Sequence, residues 1–123
     1  MVICDYELRF SDRRTDDSRL EGITIPAVLK TGRNKVEMLA RIDTGASDCL
    51  FERAYGEALG IRVEEGVPRT YSTAIGPFDA YGHEISIQAL GAKTTATAYF
   101  FADRGIERNV LGRRGWLDRL QFG

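Results

Sequence analysis

Ala40-Arg41-Ile42-Asp43-Thr44-Gly45-Ala46-Ser47 is the stretch on which the reading of this chain turns. An apolar run carries a carboxylate at its end, and Thr-Gly-Ala follows at once. A carboxylate so placed belongs on a tight turn rather than in a solvated loop. Gly45 permits unusual backbone angles and the close approach of a ligand or a second chain. The Thr44 hydroxyl can donate and accept while its β-branched body packs. Two readings of the segment are open at this level: an Asx-type turn in which Asp43 binds backbone amides, and a reactive carboxylate.

Working outward, residues 35–42 read as a strand running back along residues 23–29, with a turn at Thr31-Gly32-Arg33-Asn34. This is a β-hairpin that leads straight into Asp43. Pro26 marks an edge or a bulge in its first strand. Further upstream, residues 6–10 alternate apolar with charged as a half-buried strand does, and residues 11–19 are a loop by composition. Downstream, residues 51–59 predict a helix with Phe51, Tyr55, Ala58 and Leu59 on one face, ended by Gly60 in a left-handed cap. Glu64 and Glu65 read as a solvated turn. Residues 69–75 and 78–87 form a second hairpin folding near Gly76-Pro77, and residues 94–101 are a strand by their Thr and aromatic content. Val110-Leu111-Gly112 is a short apolar step into glycine. Residues 113–120 predict a short C-terminal helix with Trp116, Leu117 and Leu120 inward.

Composition bounds the function. A length of 123 residues is about one domain, enough to bury roughly two-thirds of the unfolded surface in a single core. We divide it into an N-terminal strand and loop, 1–20, and a core, 21–123. It is too short for an enzyme that needs two full lobes in one chain. Lys+Arg 17 against Asp+Glu 18 gives a net charge of −1, which argues against a nucleic-acid partner. No apolar stretch approaches a membrane span, and the charged start lacks the apolar middle of a signal peptide, so a cytoplasmic location is expected. Two cysteines, Cys4 and Cys49, are too few for a disulfide framework or a zinc site. No metal or other cofactor is implied. The one histidine, His83, falls on the outgoing arm of the second hairpin, with nothing local to make it a base for Cys49. Phe100, Phe101 and Trp116 read as packing residues.

Taken in order, the hairpin, Asp43-Thr44-Gly45-Ala46-Ser47, the helix ending Leu59-Gly60-Ile61, the second hairpin and the Val110-Leu111-Gly112 step resemble the retropepsin-like aspartic proteases over residues 23–120. The resemblance implies an all-β, closed barrel-like domain with one or two short helices. It also implies a homodimeric endopeptidase acting on extended polypeptides. Asp43 is similar to the catalytic aspartate, and Thr44 to the residue whose hydroxyl locks the two active-site loops together across the dimer. Gly45 and Ala46 match the loop floor. Leu111, Gly112 and Arg113 match the structural support beneath that loop, with Arg113 bracing the site. The second hairpin is similar in placement to the flap. Ile75, Gly76 and Phe78, together with Asp48 and Val110, are then candidates for contacting substrate, and Ile75 and Phe78 would favour apolar residues beside the cut. Pro77, at the expected tip, would stiffen it.

The chemistry explains why such a motif needs a partner. Two carboxylates about 4 Å apart, at an effective dielectric of about 20, repel by roughly 4 kcal/mol, or about three pKa units. One proton is therefore shared: one carboxylate can act as base on a water while its protonated neighbour polarises the scissile carbonyl. The chain holds a single Asp-Thr-Gly, so the second carboxylate must come from an identical chain. A different class of function, a catalytically idle fold that binds peptides or dimerises, is the alternative. Two positions depart from the family pattern. Arg41 stands where an apolar residue is usual; it either faces solvent or reaches the cleft and selects acidic residues near the cut. Asp48 either binds substrate backbone, pairs with Arg113, or is a solvated loop acid.

Overall fold

The computed structural model describes residues 22–74 and 76–117. The strand and loop expected over residues 6–19, Ile75, and Leu120 of the expected C-terminal helix lie outside them. The first hairpin forms as its alternation requires. β1 (Thr24–Thr31) pairs antiparallel with β2 (Asn34–Ile42), and Thr31 opposite Asn34 leaves Gly32-Arg33 as the turn. Ile25, Ala27 and Leu29 on one strand, and Met38, Ala40 and Ile42 on the other, turn inward. β1 also pairs with β5 (Gly76–Ala89), but only from Ala27 to Lys30. Pro26 thus lies just before this second ladder begins, where its missing N–H costs no hydrogen bond.

β3 (Cys49–Phe51) runs parallel to β6 (Ala92–Phe101), β4 (Val67–Thr73) pairs with β5, and β7 (Val110–Leu111) is wedged between β2 and β3. The order β1-β2-β7-β3-β6-β5 returns to β1, so six strands close into a barrel. Closure removes the open edges that would invite pairing with other chains. β4 stays outside the ring, attached to β5 alone. The β5–β6 ladder starts at Ala80 opposite Phe101, so Gly76–Asp79 and their β4 partners extend past the barrel as a projecting hairpin. Its turn falls one to two residues before the expected Gly76-Pro77, because Thr73 pairs with Gly76 and Pro77 with Ser72. Pro77 is therefore a strand residue, and Gly76 takes the positive φ of +128° beside the turn.

The main core gathers Ile25, Leu29, Ile42, Phe51, Ile87, Phe100 and Leu111, each no more than 1% exposed; each such side chain contributes about 1.5–3 kcal/mol on burial. The helix α1 (Arg53–Ala58) is shorter than expected. Phe51 belongs to β3, opposite Phe100 of β6, and Ala58 faces solvent. Gly56 is the helix's contact with the barrel: a Cβ there would stand 3.0 Å from the Phe100 ring. Gly60 ends the turn at φ +81°, as expected of a left-handed cap. Glu64 is more than a solvated acid. It receives Arg53 Nη2 at 2.9 Å, and Arg53 also binds Glu57 at 3.0 Å and the Ala102 carbonyl at 3.1 Å. Within residues 113–117 no α-helix has begun: Arg114 bridges to Asp48, Gly115 takes φ +105°, and Leu117 lies in a 3₁₀ turn, while the rest of the expected helix lies outside the described residues. Trp116 and Leu117 do point inward, as expected.

Candidate active site

Asp43 is the first residue beyond β2, and the barrel fixes it from beneath. Its N–H donates to the Leu111 carbonyl of β7 at 3.1 Å, and its carbonyl accepts the Ala46 N–H at 3.1 Å. Its carboxylate Oδ1 accepts the Gly45 N–H at 2.9 Å, leaving Oδ2 without a protein donor among the described residues. The Asx-type turn is thus present, and it orients a half-buried carboxylate toward an open cavity. Thr44 is also half-buried, and Gly45 is exposed at the apex.

The segment after β7 packs under this loop through its main chain. The Arg113 N–H donates to the Ala46 carbonyl at 2.9 Å, and the Arg114 N–H donates to the Ser47 carbonyl at 2.8 Å. Gly112 is fully enclosed between them: a Cβ would stand 2.8 Å from the Ala46 oxygen and closer still to the Asp48 carbonyl. Leu111 is buried, and Val110 is buried beneath the cavity. The support expected of Leu111 and Gly112 therefore has a physical basis. Arg113 braces the loop by its backbone, while its side chain is exposed.

Asp48 differs from two of its sequence-level alternatives. It is 4% exposed, so it is no solvated acid, and its ion-pair partner after Gly112 is Arg114, not Arg113. Oδ2 accepts Arg69 Nη1 at 2.6 Å and the Tyr71 hydroxyl at 2.6 Å, and Oδ1 accepts Arg114 Nε at 3.1 Å. Burial pushes this carboxyl up, but the hydrogen bonds from Tyr71, Arg114 and Arg69 outweigh it and hold the group below its ordinary value. With both oxygens engaged internally, the carboxylate joins hairpin, loop and C-terminal segment. Sequence reasoning missed Arg69, Tyr71 and Arg114. The available signal was the two-residue spacing of Arg69 and Tyr71, which puts both donors on one face of β4. Tyr99 of β6 packs against the same two side chains, its ring edge-on to Tyr71 at 5.9 Å and under Arg69 at 5.2 Å.

Two cavities that share Arg108 lie on this side of the barrel. One of about 410 Å³ lies between the hairpin and the segment 103–108, walled by Leu50, Tyr71, Thr73, Phe78, Phe101 and Ile106, with Asp103, Glu107 and Arg108 at its margin. Phe78 and Phe101 meet edge to face at 6.3 Å. The second, about 330 Å³, contains Asp43 itself with Gly22, Arg41, Arg108 and Val110. Of the residues expected to contact substrate, Phe78 and Val110 line these spaces, Gly76 stands at the hairpin turn, and Ile75 lies outside the described residues. Arg41 is exposed and borders the same cavity as Asp43.

The remaining candidates are structural. His83 Nε2 lies 2.9 Å from the Val63 carbonyl, its ring 6.1 Å from that of Phe100. Cys49 is fully buried, and that burial pushes its thiol up to about 12. A thiolate nucleophile has no place here. Phe100 lies in the core, while Phe101 packs at the base of the hairpin.

Comparison with known proteins agrees with this architecture. No protein-family model matches the chain, and no curated protein matches it in sequence. Among solved structures, it is similar to EIAV protease complexed with the inhibitor HBY-793, at 17% identity and TM-score 0.58 over 81% of this chain and 88% of that one. It is also similar to a retropepsin-like aspartic protease from Rickettsia conorii, at 22% identity and TM-score 0.59 over 80% of this chain and 79% of that one. The fold is the retropepsin-like one expected from the sequence.

Proposed function

We propose that this chain is an aspartic endopeptidase that works as a homodimer, with Asp43 of each subunit meeting across a two-fold axis. The observation that carries the reading is the seating of Asp43. Its turn is held from below by the Leu111 carbonyl, one carboxylate oxygen is fixed by the Gly45 N–H, and the other opens into a cavity. A single carboxylate cannot serve as both acid and base in one step, so the monomer supplies half of the machinery. In the dimer, paired carboxylates share one proton. The ionised one takes a proton from a water as that water attacks the peptide carbonyl, and the protonated one donates a hydrogen bond to the carbonyl oxygen. Thr44, Gly45 and Ala46 shape the loop that carries the acid. The likeness to solved aspartic proteases supports this reading at the level of fold.

Substrate lies extended between the Asp43 turn and the projecting hairpin, bonded through its main chain as an added strand. Gly76 and Phe78 approach it from the hairpin side. The test is digestion of a peptide library near pH 5 by wild type and Asp43→Asn, with sedimentation across protein concentration. Cleavage by wild type alone, from a dimer, is expected. Equal cleavage by Asp43→Asn would overturn the mechanism. A protein that is monomeric at every concentration and never cleaves would favour an idle peptide-binding fold.

A further inference from the structure

Arg41 and Arg108 come together beside Asp43 by construction. Arg41 sits two residues before it on β2, opposite Val110 of β7. The Arg41 N–H donates to the Asn109 carbonyl at 2.8 Å, so the residue after Arg108 is bonded to the backbone of Arg41. Asn109 is pinned in turn by Glu52: its side-chain oxygen accepts the Glu52 N–H at 3.0 Å, and its amide donates to Glu52 Oε2 at 2.8 Å. The two arginines are therefore held on adjacent, anchored backbone, and both side chains border the 330 Å³ cavity that contains Asp43.

Among the described residues their charge is unpaired. Arg53, Arg62, Arg69, Arg104 and Arg114 all pair with carboxylates of the chain. Neither Arg41 nor Arg108 forms an ion pair among the described residues, although Asp103 and Glu107 lie close to Arg108 in sequence. Both are exposed. The neighbouring cavity, by contrast, has aromatic and aliphatic walls in Leu50, Tyr71, Phe78, Phe101 and Ile106, and it shares Arg108 with the first at its charged margin. The site thus has an apolar compartment under the hairpin and a guanidinium-lined compartment at the acid. A guanidinium fork is the side chain best matched to a planar carboxylate.

We propose that Arg41 and Arg108 form an anion-recognising subsite that selects polypeptides carrying Glu or Asp next to the scissile bond. The proposal rests on the peptidase reading, because the cavity matters as a subsite only if Asp43 marks the point of cleavage. The two-fold axis would place one such subsite on each side of the cut.

The experiment uses two labelled octapeptides that differ only by Glu or Gln beside the central bond, near pH 5.5, above the ordinary Glu value of about 4.3. Wild type is expected to favour the Glu peptide in kcat/KM on the order of fivefold, the discrimination half-exposed ion pairs supply. The ratio falls toward one as salt rises from about 0.05 to about 0.5 M. Arg41→Gln with Arg108→Gln brings it to one, and Arg41→Glu with Arg108→Glu transfers the preference to a Lys peptide. Fluorescence polarisation of the same peptides on Asp43→Asn reads the subsite without cleavage. Equal cleavage of the two peptides by wild type overturns the subsite and leaves the peptidase reading standing. If no peptide is cut, the peptidase reading fails, and polarisation alone decides. Tighter binding of the Glu peptide, abolished by the arginine substitutions, supports the subsite. Equal or absent binding overturns it.

Discussion

The Tyr71 hydroxyl donates to Asp48 Oδ2 across 2.6 Å, tying the projecting hairpin to the loop that follows Asp43. Arg69 reaches the same oxygen from two residues earlier on β4, and Arg114 reaches the other from beyond β7. β4 is exposed along most of its length and pairs with one strand only, so it has little other contact with the barrel. Asp48 is thus the point where hairpin position and loop conformation become one mechanical unit.

Replacing this acid should show its contribution and its pH window. The ionised form is favoured in the fold, so the carboxyl is held below its ordinary 3.8. A group held low contributes stability that is complete above its unfolded-state value and lost as pH falls through the folded-state value. Asp48→Asn is expected to be less stable than wild type by about 1–3 kcal/mol near pH 6, the range for hydrogen bonds to a buried charge. The gap should narrow below about pH 4. Urea titrations of both proteins at pH 6 and pH 3 measure it; an identical gap at the two pH values would contradict the assignment. Tyr71→Phe tests one bond of the set and should lose about 1–2 kcal/mol.

Gly112 gives a steric test of the loop's support. Its would-be Cβ meets backbone oxygens of Ala46 and Asp48 rather than yielding side chains. Gly112→Ala therefore has to move the Asp43 loop or the segment after β7, at a cost of about 1–3 kcal/mol for overpacking. A thermal melt close to that of wild type would show that the loop accommodates the methyl group, contrary to expectation.

The parts legible in the sequence are those governed by local pattern. The first hairpin followed from two apolar-rich runs on either side of a turn at Gly32. The placement of Asp43 followed from the apolar run ending there, and β7 from two apolar residues before glycine. Errors arose where partners distant in sequence decide. Phe51 fits a helical face locally, yet its pairing with Phe100 makes it strand. Pro77 looked like a turn residue, but the β5–β6 ladder begins only at Ala80, so at Pro77 β5 has a partner on one side alone, and a proline can join a strand there. Asp48 has partners 21, 23 and 66 residues away, and no periodicity reports such distances. Arg108 escaped notice for the same reason: only the pairing of β2 with β7 brings it to Arg41 and Asp43.

The state of Cys49 can be checked directly. Full burial pushes its thiol up to about 12, so at neutral pH it is protonated and shielded from reagents. In a Cys4→Ser background, the native protein should leave an aromatic disulfide reagent unreacted over hours at pH 8. It should release one equivalent of thiolate once denatured. Rapid reaction of the native protein would mean that the barrel opens near β3 far more readily than its packing implies.

Phe78 offers the sharpest separation of the two compartments at the candidate site. Its ring forms one wall of the 410 Å³ cavity and rests edge-on against Phe101, whereas the Asp48 bonds that hold the hairpin come from Arg69 and Tyr71 on the opposite strand. Phe78→Ala should therefore widen the apolar compartment while leaving the hairpin's main tether in place. On the peptidase reading, kcat/KM for peptides with a large apolar residue near the cut should fall about tenfold, the loss expected when a partly buried aromatic contact of about 1.5 kcal/mol is removed. The Glu-over-Gln preference set by Arg41 and Arg108 should persist, because Arg41 borders only the cavity at Asp43, and Arg108, which stands at the margin of both cavities, is held by the Asn109 backbone rather than by the Phe78 ring. Kinetics on a matched panel of apolar and acidic peptides reads both at once. A parallel loss of the two preferences would show that the cavities act as one pocket, and the division of labour argued from their linings would then be wrong.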